Sequence, residues 1–169
     1  MVKIQTDKMA SRRLFFAFAF SLLAGGSALA GIQDGVAAFR HEEYGRAVAI
    51  FGPLAKRGDA VAQTYLGLMY LKGYGVPQNY IRAADWLHAA SEQGYGLAQY
   101  WLGLMYDKGQ GVPQDYVLAY KWLDLAVANA RGRERDDWTR IRDAVATKIS
   151  LAQRTKAQAL AAEWRPQRR

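Results

Sequence analysis

The 169-residue sequence has no cysteine and only two histidines, His41 and His88. The first absence excludes disulfides, thiolate metal sites, a cysteine nucleophile and a lipid-modified amino-terminal cysteine. The second excludes a histidine-rich metal cage, since neither histidine has another histidine or a cysteine as companion. There is no His-Glu-x-x-His, and no serine sits in a nucleophile-elbow pattern. No catalytic residue, metal ligand or cofactor is therefore assigned. The composition is otherwise that of a folded chain, with 51% apolar and 22% charged residues. The length suits one domain.

A membrane-length apolar run at the amino terminus is also missing. Leu14 to Ala24 gives eleven uncharged residues, about half of the twenty or so needed to cross a bilayer. Lys3, Lys8, Arg12 and Arg13 precede it, and Gly25-Gly26-Ser27 and Ala28-Leu29-Ala30 follow. A basic flank, a short apolar run and a small-x-small end are the three parts of a secretory signal peptide, with cleavage expected after Ala30. An uncleaved amino-terminal anchor or a buried helix is the competing reading. Ser11-Arg12-Arg13-Leu14-Phe15-Phe16 resembles the twin-arginine export motif, so the Sec and twin-arginine routes both stay open. Either route leads to a periplasmic or secreted protein. Four of the six phenylalanines lie in this segment, so they are set aside from the core.

What the sequence has is a repeat of thirty-six residues. Laying Ala60–Tyr95 over Gly96–Arg131 matches eighteen positions without a gap. Leu66-Gly67-Leu68-Met69-Tyr70 falls on Leu102-Gly103-Leu104-Met105-Tyr106, and Gly75-Val76-Pro77-Gln78 on Gly111-Val112-Pro113-Gln114. A fixed period of this length signals a solenoid. Each repeat reads as two helices. The first runs from about Val61 to Lys72, with Ala62, Gln63, Leu66, Gly67 and Tyr70 on one face. Gly67 and Gly103 sit in mid-helix, where glycine costs about 1 kcal/mol against alanine, so a neighbouring side chain is expected in the missing Cβ space. Gly73 and Gly109 are expected at positive φ, ending the first helices. Asn79 and Asp115 stand where an N-cap is wanted. The second helix runs from Tyr80 to about Gln93, with Tyr80, Ala83, Leu87 and Ala90 as its buried stripe. Trp86 and Trp122 are expected to pack in or between repeats. Gln78 is expected to face water with no strong structural role.

The run Ala-Gln-x-x-Leu-Gly-Leu-Met-Tyr-x-Lys-Gly-x-Gly-Val-Pro-Gln-(Asn/Asp)-Tyr, followed by Ala-x-x-Trp-Leu, resembles the Sel-one-like repeat, a variant of the tetratricopeptide repeat with a longer turn. The resemblance covers Ala60 to Ala130 in two repeats, 60–95 and 96–130. It implies an all-α fold, an α-solenoid of antiparallel helix pairs. Upstream, residues 31–59 look like a plain tetratricopeptide hairpin, since His41-Glu42-Glu43 replaces the glycine-proline turn. Gly52-Pro53 predicts a kink in its second helix.

Residues 131–169 read as a basic helical cap. One helix is expected over about Asp136–Lys148, with Trp138, Ile141, Val145 and Ile149 at helical spacing. Ser150-Leu151-Ala152-Gln153 is a capping-box signature opening a second helix to about Trp164, with Leu151, Leu160 and Trp164 as its apolar residues. Arg131–Arg169 holds eleven basic and five acidic residues, whereas Gly31–Ala130 holds eight and nine. A tail including Arg165, Arg168 and Arg169 suits an anionic surface or an acidic partner; a solvated face is the plainer reading. Nucleic acid is not expected for an exported chain.

If the pairs stack as the resemblance implies, the first helices line a concave groove, and Thr64, Leu68, Leu71, Tyr100, Leu104 and Asp107 face it. Apolar and aromatic groups with a few charges suit a peptide. Packing of the same residues on adjacent repeats is the alternative. The function expected is a non-catalytic interaction module or adaptor in the bacterial cell envelope, its partner an unidentified envelope protein or peptide. The alternative within the resemblance is an envelope hydrolase-like or cell-wall-binding protein.

Overall fold

The computed structural model describes residues 30–167. The proposed leader up to Leu29, together with Arg168 and Arg169, lies outside the described residues. Eight helices and no strand occur among those described. A first helix, α1, is described over 30–40. It is followed by α2 (Tyr44–Lys56), α3 (Ala60–Lys72), α4 (Tyr80–Glu92), α5 (Gly96–Lys108), α6 (Tyr116–Asn129), α7 (Gly132–Ala146) and α8 (Leu151–Glu163). None is long and apolar enough to cross a membrane.

Local chemistry sets the boundaries. Asp59 accepts from the Ala62 amide, Asn79 from that of Arg82, and Asp115 from those of Val117 and Leu118. Each satisfies donors that a helix start leaves without partners. Ser150 and Gln153 form the reciprocal capping box that the sequence signalled. Gly73 and Gly109 end α3 and α5 at φ 75° and 66°, as expected. One expected boundary moves. α7 opens at Gly132, four residues before Asp136: Ala130 and Arg131 are extended, Gly132 turns the chain at φ 54°, and the helix proceeds from there. Gly52-Pro53 does not divide α2.

The helices pair as α3 with α4 and α5 with α6, and α2, α4 and α6 each pack on the first helix of the following unit. The mid-helix glycines make this closeness possible. A Cβ on Gly67 would lie 2.7 Å from Leu87 Cγ, and one on Gly103 would lie 2.7 Å from Leu123 Cγ. Ala83, Leu87 and Ala90 are buried as expected, but Tyr80 is 37% exposed. Its backbone is covered instead, by the turn of the following repeat at Gly111. Trp122 is buried, and Trp86 packs half-buried against the α2–α3 core.

α8 packs across α6 and buries Ala157 and Ala161. Leu151, expected among its apolar contacts, is the first residue of the helix and 72% exposed. Beyond α8 the chain turns back. The Trp164 ring sits edge-on to Trp122 with centroids 6.1 Å apart, and the Gln167 amide donates to the Glu92 carbonyl at 2.7 Å. The end of the chain is thereby tied to the end of α4.

Candidate partner-binding cleft

The six residues expected to share a groove do not lie together on an open face. Thr64 is 0% exposed, and its hydroxyl donates to the Ala60 carbonyl one turn back at 2.7 Å. It is a core residue, which corrects the expectation. Its equivalent Tyr100 is half-buried and stacked on Trp138 of α7, with centroids 4.9 Å apart and planes 13° apart. Burial raises the Tyr100 phenol above its ordinary pKa, and Asp137 adds to that rise. Asp107 accepts from Lys148 at 2.6 Å. The carboxy-terminal cap thus covers Tyr100 and engages Asp107. Leu68 is half-buried against the core between α3 and α5.

Leu71 and Leu104 do border an opening. A cleft of about 130 Å³ lies between the carboxy-terminal halves of α3 and α5, with Leu71, Leu104 and Met105 as its apolar lining. Leu71 is only 5% exposed, so it forms floor rather than rim. Trp101, the two lysines Lys72 and Lys108, and the polar groups of Gln78, Tyr80 and Gln110 complete the lining. The Lys72 ammonium stands 5.4 Å from the centre of the Trp101 ring, within cation–π range. Both lysines are exposed, and neither forms an ion pair among the described residues.

Two glutamines shape this region. The Gln78 side-chain amide donates to the Leu71 carbonyl at 2.9 Å, and that of Gln114 donates to the Asp107 carbonyl at 2.8 Å. Each caps a carbonyl at the end of a first helix, so the expectation that Gln78 has no strong structural role is corrected. Of the lining residues, the sequence reading reaches Leu71 and Leu104 but not Trp101, Lys72 or Lys108, since nothing in the sequence separates Trp101 from its neighbour Tyr100, which the cap covers.

A second cavity, of about 240 Å³, lies along α4 and is lined by Asp85, His88, Glu92 and Gln167 among others. His88 Nε2 is 3.9 Å from Glu92 Oε1. No group of three metal-ligating side chains occurs among the described residues. Arg165 in the tail donates to the carbonyls of Ala162 and Trp164.

Comparison with known proteins bears on this geometry. The Sel1 repeat family matches residues 60–95 and 96–130. Among solved structures, the chain is similar to a protective antigen of uropathogenic Escherichia coli displaying an SLR fold. The two share 34% identity at a TM-score of 0.75 over 84% of this chain and 30% of that one. It is also similar to a Sel1 repeat protein from Oxalobacter formigenes, with 30% identity at a TM-score of 0.57 over 63% of this chain and 44% of the other. The chain therefore spans less than half the length of either relative. No curated protein matches it.

Proposed function

Because residues 60–130 make this chain a Sel1-like repeat protein, of a family whose helix pairs typically serve in protein–protein interaction, we propose that it is a non-catalytic adaptor of the bacterial cell envelope, binding a peptide or protein segment in the cleft between α3 and α5. The observation that carries this reading is the cleft itself, with Leu71 and Leu104 beneath a rim of Lys72 and Lys108. An apolar centre with a polar rim is the anatomy of an interface. The opening is well below the roughly 300–1,000 Å³ of sites that engulf small molecules, so it suits one side chain of a larger partner. The basic segment 131–169 is assigned to steering toward an anionic surface, with Arg165, Arg168 and Arg169 at its end.

Photo-crosslinking from position 110, at the edge of the cleft, tests it in living cells. It should give a discrete adduct that Leu104→Glu removes while helical circular dichroism is retained. An adduct that persists in the variant moves the binding site elsewhere. Envelope residence rests on the three-part leader. Intact mass of protein from the periplasm or medium should correspond to a chain beginning at Gly31. Retention of full-length chain in the cytoplasm would sink the localisation.

A further inference from the structure

Building on the reading of the cleft as a binding site, we propose that its occupant is an acidic peptide segment, in which one apolar side chain is flanked by aspartate or glutamate. Lys72 and Lys108 are equivalent positions of consecutive repeats and border the same opening. A lysine in the last turn of a helix is already favoured by the helix dipole, so position alone says little about ligands. Pairing says more. Asp107, the carboxylate nearest in sequence to Lys108, is taken by Lys148. Asp115, at the far end of the following turn, is spent capping α6. Two ammonium groups thus border one cleft with no carboxylate paired to either among the described residues.

The lining between them is mixed. Leu104 and the Trp101 ring, over a buried floor of Leu71 and Met105, supply apolar contact that a free inorganic anion would not use, and Gln78, Tyr80 and Gln110 add polar groups. Lys72 over the Trp101 ring adds direction, since it holds one positive charge at the aromatic wall. The fitting ligand therefore pairs an apolar anchor with carboxylates on both sides. Opposite charge across such a rim speeds encounter and rejects basic partners.

The test is selection from a random heptapeptide library on the folded chain and on two variants, Lys72→Glu/Lys108→Glu and Leu104→Glu, each checked by circular dichroism. The parent should enrich peptides with an apolar residue beside Asp or Glu. The lysine variant should weaken those peptides by about tenfold or more and enrich Lys or Arg at the flanking positions. Enriched peptides that lack acidic residues, yet are lost in Leu104→Glu, would overturn the charge inference and leave the cleft as the binding site. Peptides indifferent to Leu104→Glu, or no enrichment at all, would overturn both. Raising the salt concentration should weaken binding to the parent. Salt-independent affinity would also count against the lysines.

Discussion

The side-chain amide of Gln93, at the end of α4, donates to the side-chain oxygen of Gln63 in α3 at 2.8 Å. Gln63 in turn donates to the Ala55 carbonyl of α2 at 3.1 Å. The arrangement recurs one repeat on, where Asn129 donates to Gln99 at 3.2 Å and Gln99 donates to the Ser91 carbonyl at 3.3 Å. Gln63 is 3% exposed and Gln99 0%. Each buried amide thus ties three helices: its own, its partner, and the last helix of the preceding unit.

Cutting this tie should cost more than its hydrogen bonds are worth net. Gln63→Ala leaves the Ala55 carbonyl with the Gly58 amide alone and the Gln93 side-chain amide with the Ala89 carbonyl alone, and it opens a void in a packed seam. We expect a loss of about 1–3 kcal/mol. Urea denaturation should show a lower midpoint with unchanged slope, since the surface exposed on unfolding is the same. A midpoint equal to the parent's would mean that water replaces the relay without cost.

Much of this architecture was legible in the sequence, because a thirty-six-residue period repeats every helix, turn and cap. Gly67, Gly73, Asn79 and Ser150 each carry a local signature whose meaning needs no partner far away. The relay was half legible. Gln63 and Gln99 stood out as polar residues on an apolar seam, but their donors differ between repeats, Gln93 in one and Asn129 in the other. Non-identical positions carry no signal in a repeat overlay. Gln78 is repeated as Gln114, yet its role was misread, since a capping bond to a carbonyl seven residues back depends on the path of the turn. The groove failed for a related reason. The overlay treats Thr64 and Tyr100 as one position, yet Tyr100 meets the cap, whereas Thr64 bonds back to its own helix.

The glycines of each turn should differ in how badly they tolerate alanine. Gly109 has φ 66°, and an added Cβ would lie 3.3 Å from the Gln114 Cβ, a contact the turn can absorb. Gly109→Ala should cost about 1 kcal/mol, from the left-handed backbone alone. Gly111 has φ 72°, and its Cβ would overlap the Tyr80 carbonyl, which belongs to the first turn of α4. Relieving that overlap means separating two repeats. We expect Gly111→Ala to cost about 2–3 kcal/mol or more. Gly75 faces Tyr44 in the same way, with a Cβ at 2.8 Å from its carbonyl oxygen. Denaturant midpoints for the two variants decide the order. Equal losses would show that backbone conformation, and not the inter-repeat contact, dominates at both sites.

The cap over Tyr100 makes a prediction with two independent readouts. Trp138 is 7% exposed and stacked on the Tyr100 ring, so Trp138→Ala should destabilise the chain by about 2–4 kcal/mol. Lys148→Ala removes a partly exposed ion pair with Asp107 and should cost no more than about 1 kcal/mol. The second readout is protonation. Burial, and after it Asp137, raises the Tyr100 phenol above its ordinary value of 10.0. A folded-state pKa above the unfolded one gives stability that is whole below the unfolded value and is lost as pH rises through the folded value. The stability that this phenol contributes should therefore be lost only on the alkaline side of pH 10, as it ionises. The Tyr100 titration can be isolated as the difference in ultraviolet absorbance between each protein and its Tyr100→Phe counterpart. Trp138→Ala should move that titration down toward 10.0, because it removes the covering ring. Asp137→Asn should move it less, since burial is the larger cause. If Trp138→Ala leaves the titration where it was, the burial of Tyr100 comes from α5 and α6, and the cap contributes packing without covering the phenol.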